Sequence, residues 1–247
     1  ADFLAERKWN LVLTARRRER LEEAANRIHD AHGVCCTVIT ADLSHRDAPQ
    51  QLINEINGRD ITVDALINNA GYGLSTTFST SDWSDVDHFL EVMIGAATRL
   101  PHLVLPGMIN RGYGRIVNIA SLAAFAPEPA GSLYPAVKRY LVSMSRAIRL
   151  DVMNTGVHCT ATCPGFTWTE FHDVLGNRED MNKLPRIFWQ PVRPVVEASW
   201  RAVERNRDAH VTGGLNRVIH GICHLLPTRL VHAITPRSVR VRGMHKA

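Results

Sequence analysis

Three residues in this sequence have the types and spacing for proton chemistry at a carbonyl. Tyr134 and Lys138, in the stretch Tyr-Pro-Ala-Val-Lys, stand four apart and so share one face of a helix, with Ser121 thirteen positions upstream at the end of an apolar run. A phenol beside a fixed ammonium has its anion stabilised, which brings its pKa down from about 10 toward values where it exchanges a proton with a substrate oxygen. The Ser121 hydroxyl would hold that oxygen beside the phenol. A tyrosine and a lysine one turn apart are by themselves as readily a surface pair, so the elements that would position them decide the matter.

Those elements alternate. Leu11 to Ala15 reads as a strand, Arg18 to His32 as a helix closed by Gly33, and Cys35 to Thr40 as a second strand. Ser44 is placed to cap a helix through Asn57, and Val63 to Ile67 is a short strand ending in Asn68-Asn69-Ala70-Gly71. A helical region from Asp82 to Asn110, interrupted by Pro101 and Pro106, precedes a strand from Arg115 to Ala120. A helix from Leu133 to Asn154 and a strand from Val157 to Thr162 follow. This order predicts an α/β fold, a doubly wound parallel sheet of Rossmann-like type, in which ligands bind outside the carboxyl ends of the strands. Arg16, Asp42, Asn68 to Gly71, Ser121 and Pro164-Gly165 all fall at such ends.

With 247 residues and 45% hydrophobic content, the chain suits one domain, with 166–191 as an irregular substrate loop and 213–247 as a helical extension. It contains no run of eighteen apolar residues and no basic-then-apolar start, so a cytoplasmic protein is expected. The five cysteines lack metal-ligand spacing, and Cys35, Cys36 and Cys159 lie in strand-like runs, as small core residues in a reducing compartment do. No metal is expected. The net charge of +5 is concentrated in Arg16 to Arg20 and in the tail, with no nucleic-acid motif beside either, so nucleic acid is not an expected partner.

The Asn68-Asn69-Ala70-Gly71 stretch, Ser121 with Tyr134 and Lys138, Pro164-Gly165 with Thr169, and Asp42-Leu43 together resemble the short-chain dehydrogenase/reductase family, over nearly the whole chain. The resemblance implies a tyrosine acting as general acid/base, a lysine that also binds the nicotinamide ribose, and a serine that positions the carbonyl. It further implies that Asp42 and Leu43 lie near adenine, and that Pro164, Gly165 and Thr169 meet the nicotinamide. Arg16 and Arg17 stand where members preferring NAD carry an acidic residue and could pair a 2′-phosphate, so NADP is the expected cofactor.

Two departures stand out. The family opens on a strand and a Thr-Gly-x-x-x-Gly-x-Gly loop, whereas ADFLAERKWN matches only the end of the helix that follows them, and no glycine precedes Gly33. This is the pattern of a fragment or of a start assigned too far downstream, and it predicts two unpaired inner sheet edges. Met93 replaces a usual asparagine that supports a relay water, and it could be either a core filler or a cause of lost activity.

The expected function is reduction of a lipophilic carbonyl, 3-oxoacyl or similar, with NADPH. The alternative is a non-catalytic member that works as a binding or oligomerisation partner. A homo-oligomer is expected from the resemblance. Leu215, Val218, Ile219, Ile222, Leu225 and Leu226 form one helical stripe, which packs on the domain's own core or, with Arg229, Arg237, Arg240 and Arg242, rests on an anionic membrane surface.

Overall fold

The computed structural model describes residues 1–126, 129, 131–176 and 178–225. The chain runs through α1 (Asp2–Ala5), β1 (Leu11–Ala15), α2 (Arg18–His32), β2 (Cys36–Thr40), α3 (Ala48–Gly58), β3 (Ala65–Asn68), α4 (Trp83–Leu90) and α5 (Ala97–Arg111). It continues with β4 (Gly114–Ile119), α6 (Tyr134–Asp151), β5 (Val157–Cys163), β6 (Phe166–Thr167), α7 (Phe171–Val174) and α8 (Arg178–Met181). The last elements are β7 (Trp189–Gln190), α9 (Val192–Glu204), β8 (Ala209–Val211) and α10 (Gly214–Leu225). A π-helical turn, Glu91–Ala96, joins α4 to α5.

Every strand pairing is parallel, as the alternation of strands and helices requires. The main strands fall into two groups, β1-β2 and β3-β4-β5-β8. Among the described residues no strand pairs the second side of β1 or of β3, which matches the two unpaired inner sheet edges expected above. A shared core still spans the two groups. Ile39 of β2 packs in one cluster with Leu52, Ile53 and Ile56 of α3, Leu100, Val104 and Met108 of α5 and Ile116 of β4, with Val12 and Leu66 against it. Burial of that apolar surface, not a backbone ladder, joins them.

Several local expectations need correction. The side chain of Ser44 bonds Asp42 instead of capping α3, whose N-cap is Asp47. Pro101 and Pro106 lie inside α5 without ending it. The helical stretch Trp83–Arg111 is, among the described residues, long and apolar enough by length and composition to cross a bilayer. Here its apolar face covers the sheet through Leu100, Val104 and Met108. Cys35 is exposed and precedes β2, whereas Cys159 and Cys163 are buried in β5; all five cysteines are free. The helix α10 forms, but Val218, Ile222 and Leu225 are exposed, so the stripe does not lie on the core. Leu226, Arg229, Arg237, Arg240 and Arg242 lie outside the described residues.

Candidate active site

The helix α6 starts at Tyr134 because Pro135 occupies its first turn, where a missing N–H costs nothing. Its apolar face, Val137, Leu141 and Val142, is buried, and this orientation fixes Lys138 beneath the end of β4. The Lys138 ammonium donates to the Ile119 carbonyl at 2.7 Å and lies 5.4 Å from the Tyr134 ring centroid. Ser121 caps the short turn Leu122–Ala124, its hydroxyl accepting the Ala123 N–H at 3.1 Å. That turn is tied to the next strand end, since Leu122 N–H donates to the Pro164 carbonyl at 2.8 Å. Ser121, Tyr134 and Lys138 are therefore brought together, with Pro164-Gly165 adjoining them.

The electrostatics differ from the simple phenol-and-ammonium picture. Burial pushes the Tyr134 phenol up to about 12, and interaction with the Ser121 side chain opposes that rise only in part. Burial likewise brings Lys138 down to about 8, opposed by Cys163. Desolvation disfavours both charged forms, so the expected depression of the tyrosine pKa by Lys138 is reversed. The phenol is held protonated at neutral pH.

The side-chain amide of Asn68 is engaged within the fold. It donates to Asn118 Oδ1 at 2.7 Å and to the Ala97 carbonyl at 3.1 Å. Asn118, fully buried, donates in turn to Ser145 of α6 at 2.8 Å. This network registers β3, β4, α5 and α6 against one another. Asn118 was not anticipated, although the one amide in the strand-like run Arg-Ile-Val-Asn-Ile had to find buried partners. Asn69, Ala70 and Gly71 are exposed beyond β3. A Cβ on Gly71 would stand 2.8 Å from Met93 Sδ, so a side chain there would have to displace the Met93 thioether. Met93 is fully buried with Phe89 and Val137 and is a core filler in contact with the site.

Arg16 and Arg17 follow β1 directly and have no salt-bridge partner among the described residues, whereas Arg18 and Arg20 pair with Glu22 and Glu170. Asp42, with Leu43 beside it at the end of β2, accepts from the backbone and hydroxyl of Ser44, which hold its carboxyl below the usual range with help from nearby Arg16. A Cβ on Gly165 would collide with the Asn216 side chain at 2.5 Å. Thr169 is exposed and receives the Phe171 N–H at 3.3 Å. The region expected to be irregular carries an aromatic wall that sequence reading missed. Phe171 lies 5.7 Å from Tyr134, and Trp168 stacks on Trp189 at 4.1 Å. Their convergence depends on β6 pairing with β7, which brings together residues about twenty apart.

Residues 1–180 match the short chain dehydrogenase family. The ketoacyl reductase HetN of Nostoc sp. is 29% identical over 239 residues, covering 97% of this chain and 81% of that protein. The inactive hydroxysteroid dehydrogenase-like protein 1 of Homo sapiens is 30% identical over 201 residues, 80% of this chain and 58% of that protein. Among solved structures, a short-chain dehydrogenase from Sphingobium yanoikuyae in complex with NADPH superposes with a TM-score of 0.78 at 29% identity, over 92% of this chain and 90% of that one. With its parallel strands, its Ser121-Tyr134-Lys138 cluster and this match across most of its length, the chain belongs to the short-chain dehydrogenase family of oxidoreductases.

Proposed function

We propose that this chain reduces a lipophilic carbonyl, of the 3-oxoacyl kind, to an alcohol with NADPH. One observation carries the reading: a protonated Tyr134 stands with Ser121 and Lys138 beyond the strand ends, and Arg16 and Arg17, which have no salt-bridge partner among the described residues, directly follow β1. The residues present fit the two ends of a nicotinamide dinucleotide. Arg16 and Arg17 would take the 2′-phosphate and Asp42 and Leu43 would flank the adenine. Pro164, Gly165 and Thr169, with Asn69 to Gly71, would border the nicotinamide half, and Lys138 would reach its ribose. Among the described residues none cradles the pyrophosphate.

Bound NADPH supplies hydride to the carbonyl carbon. Ser121 orients the carbonyl oxygen toward Tyr134. As negative charge grows on that oxygen, the Tyr134 hydroxyl transfers its proton to it; a phenol with a pKa of about 12 is fully protonated before the step. Lys138, 5.4 Å from the ring centroid, then lies close enough to stabilise the phenolate. Phe171 and Trp168 support an apolar substrate, because their ring faces would cover a hydrocarbon chain, with the buried Trp189 stacked beneath Trp168.

The free, partly buried cysteines support a reducing, cytoplasmic setting. Exposed Ile109, Leu150 and Met153 on or just after α5 and α6 support a homo-oligomer. A second reading, a non-catalytic binding member, is favoured by Met93, whose thioether cannot organise a relay water. NADPH oxidation with 3-oxoacyl thioesters of increasing chain length separates these readings. Catalysis predicts kcat/KM rising with chain length and exceeding that for a short polar carbonyl. Cofactor binding without turnover on any of them supports the second reading instead, and preference for the polar carbonyl overturns the substrate class.

A further inference from the structure

Away from the catalytic cluster, a cavity of about 760 Å³ opens between α9, the edge strand β8 and α10. Its rim carries Arg201, Arg205, Arg207 and Arg217 with His210 and His220, and no acidic residue lines it. The sequence explains the convergence. Arg201 lies in the last turn of α9 and Arg205 caps that helix, Arg207 follows in the connection to β8, and Arg217 lies in the first turn of α10.

Four guanidinium groups in one cavity would ordinarily recruit carboxylates from nearby. The nearest acids in the chain are all engaged elsewhere. Glu197 pairs with Arg193, Glu204 with Arg115 at 3.1 Å, and Asp208 with Arg146 at 3.0 Å. Among the described residues none of the four guanidinium groups forms a hydrogen bond or ion pair. Residues 209–247 contain no Asp or Glu. The floor beneath the arginines is small and apolar, with Ala198, Ala202 and Ala209, so it adds room and no counter-charge. The potential is felt locally. Burial, then Arg217, Arg207 and Arg201, hold the half-buried His210 below the usual imidazole range.

We infer that this cavity is a binding site for a phosphate-bearing polyanion, held by Arg201, Arg205, Arg207 and Arg217. Guanidinium forks match phosphate oxygens two at a time, and several forks around one concave space favour a multiply charged group over a single carboxylate. The cavity is large enough for a nucleotide or a lipid headgroup. The site is separate from the proposed cofactor end at Arg16 and Arg17, and it stands whether or not the chain turns over a substrate. It adjoins the catalytic side through Gln190, which lines the cavity and accepts from Asn216 at 3.1 Å, the side chain packed against Gly165.

The phosphate source is resolved by two probes on the full chain, inorganic tripolyphosphate and vesicles of phosphatidylglycerol with phosphatidylcholine, the latter set against phosphatidylcholine alone. His210 is the local reporter, followed by imidazole NMR and assigned with His210→Gln. Occupancy cancels the arginine field, so its pKa should rise, which binding at Arg16 and Arg17 would not cause. The variant Arg201→Gln/Arg205→Gln/Arg217→Gln should bind at least roughly tenfold more weakly than wild type, since each charge-assisted contact is worth a decade or more. A control with equal charge removed elsewhere, Arg18→Gln/Arg59→Gln/Arg111→Gln, should bind nearly as wild type. Tripolyphosphate binding with these signatures assigns a soluble phosphate ligand, and binding to the anionic vesicles alone assigns a headgroup. A His210 pKa unmoved by both probes, or equal weakening in the two triple variants, overturns the site.

Discussion

The two strand groups make an instructive contrast. In β3-β4-β5-β8 the central strands are paired on both sides, and the Asn68-Asn118-Ser145 chain of hydrogen bonds links them to α6. Every side chain proposed for proton transfer hangs from this half. The β1-β2 pair is laddered on one side only. Beyond the shared core, it rests on a small cluster of Ala5, Ile28 and Val34, with Leu11, Leu13 and Cys36 against it. Its strand ends carry Arg16 and Asp42, the residues proposed to choose the cofactor. The proposed proton chemistry thus rests on the well-paired half and the proposed cofactor discrimination on the half that has one ladder. Geometry at the first can survive changes that loosen the second.

Removing the proton donor tests that division most severely. Tyr134→Phe should lower kcat for carbonyl reduction by about 10²- to 10⁴-fold while leaving NADPH affinity almost unchanged, because the hydroxyl carries the proton and little binding energy. Steady-state kinetics with cofactor titration checks both halves of the statement. Turnover close to wild type in the Phe variant would remove Tyr134 from the mechanism.

The backbone offers the next test. Amides of β4 and β5 are enclosed by ladders on both sides, whereas β1 opens toward a side with no strand partner among the described residues. Native-state hydrogen exchange should show β4 and β5 protected to near the global stability and β1 roughly a hundredfold less, since local opening need break only one ladder. Equal protection would mean that the shared core, with Ile39 and Val12, makes the two groups one cooperative unit.

How much of this was legible in the sequence follows the same division. The alternation of strands and helices fixed the elements through β5 to within a few residues, because their apolar periods are strong. Helix α9 and strand β8 were passed over: β8 has only three residues, and α9, although its Val195, Ser199, Ala202 and Val203 share a buried face, follows the irregular stretch with Pro191 and Pro194 at its start. The interruption between β1 and β3 followed from the missing glycine loop, a matter of order along the chain. The direction of the Tyr134 pKa did not follow. Spacing put an ammonium one turn from the phenol, but its sign depends on how much water the fold excludes and on Lys138 turning toward Ile119. Nor did spacing reveal that Asn68 is consumed by Asn118, or that the α10 stripe faces outward. Those are tertiary facts.

A change at the other half sharpens the contrast from the cofactor side. Arg16→Ala should weaken NADPH binding by roughly 10- to 100-fold and NADH by little, as a charge-assisted contact to phosphate is worth about 1.5–3 kcal/mol and NADH lacks the group. The kcat at saturating NADPH should hold, since no proton-transfer residue moves. Fluorescence titration with both dinucleotides decides it, and parallel losses for the two would detach Arg16 from the 2′-phosphate.

The smallest expected effect is a pH signature of the catalytic half. Lys138 titrates at about 8 in the folded chain against an ordinary 10.5, so between those values the unfolded state binds more protons and stability rises with pH. Cys159 and Cys163, both pushed up to about 12 by burial from an ordinary 9, act in the opposite sense above about 9. Tyr134 joins them above about 10, because its folded form keeps a proton that the unfolded form has lost. Stability should therefore climb modestly from about pH 8 to about 9 and then decline. Urea unfolding at these pH values, compared with Lys138→Met, isolates the first limb: the variant should lack the climb and keep the decline. A wild type whose stability falls steadily from pH 8 would mean that Lys138 retains its charge in the folded state, and the desolvated ammonium drawn beneath Ile119 would have to be replaced by a hydrated one.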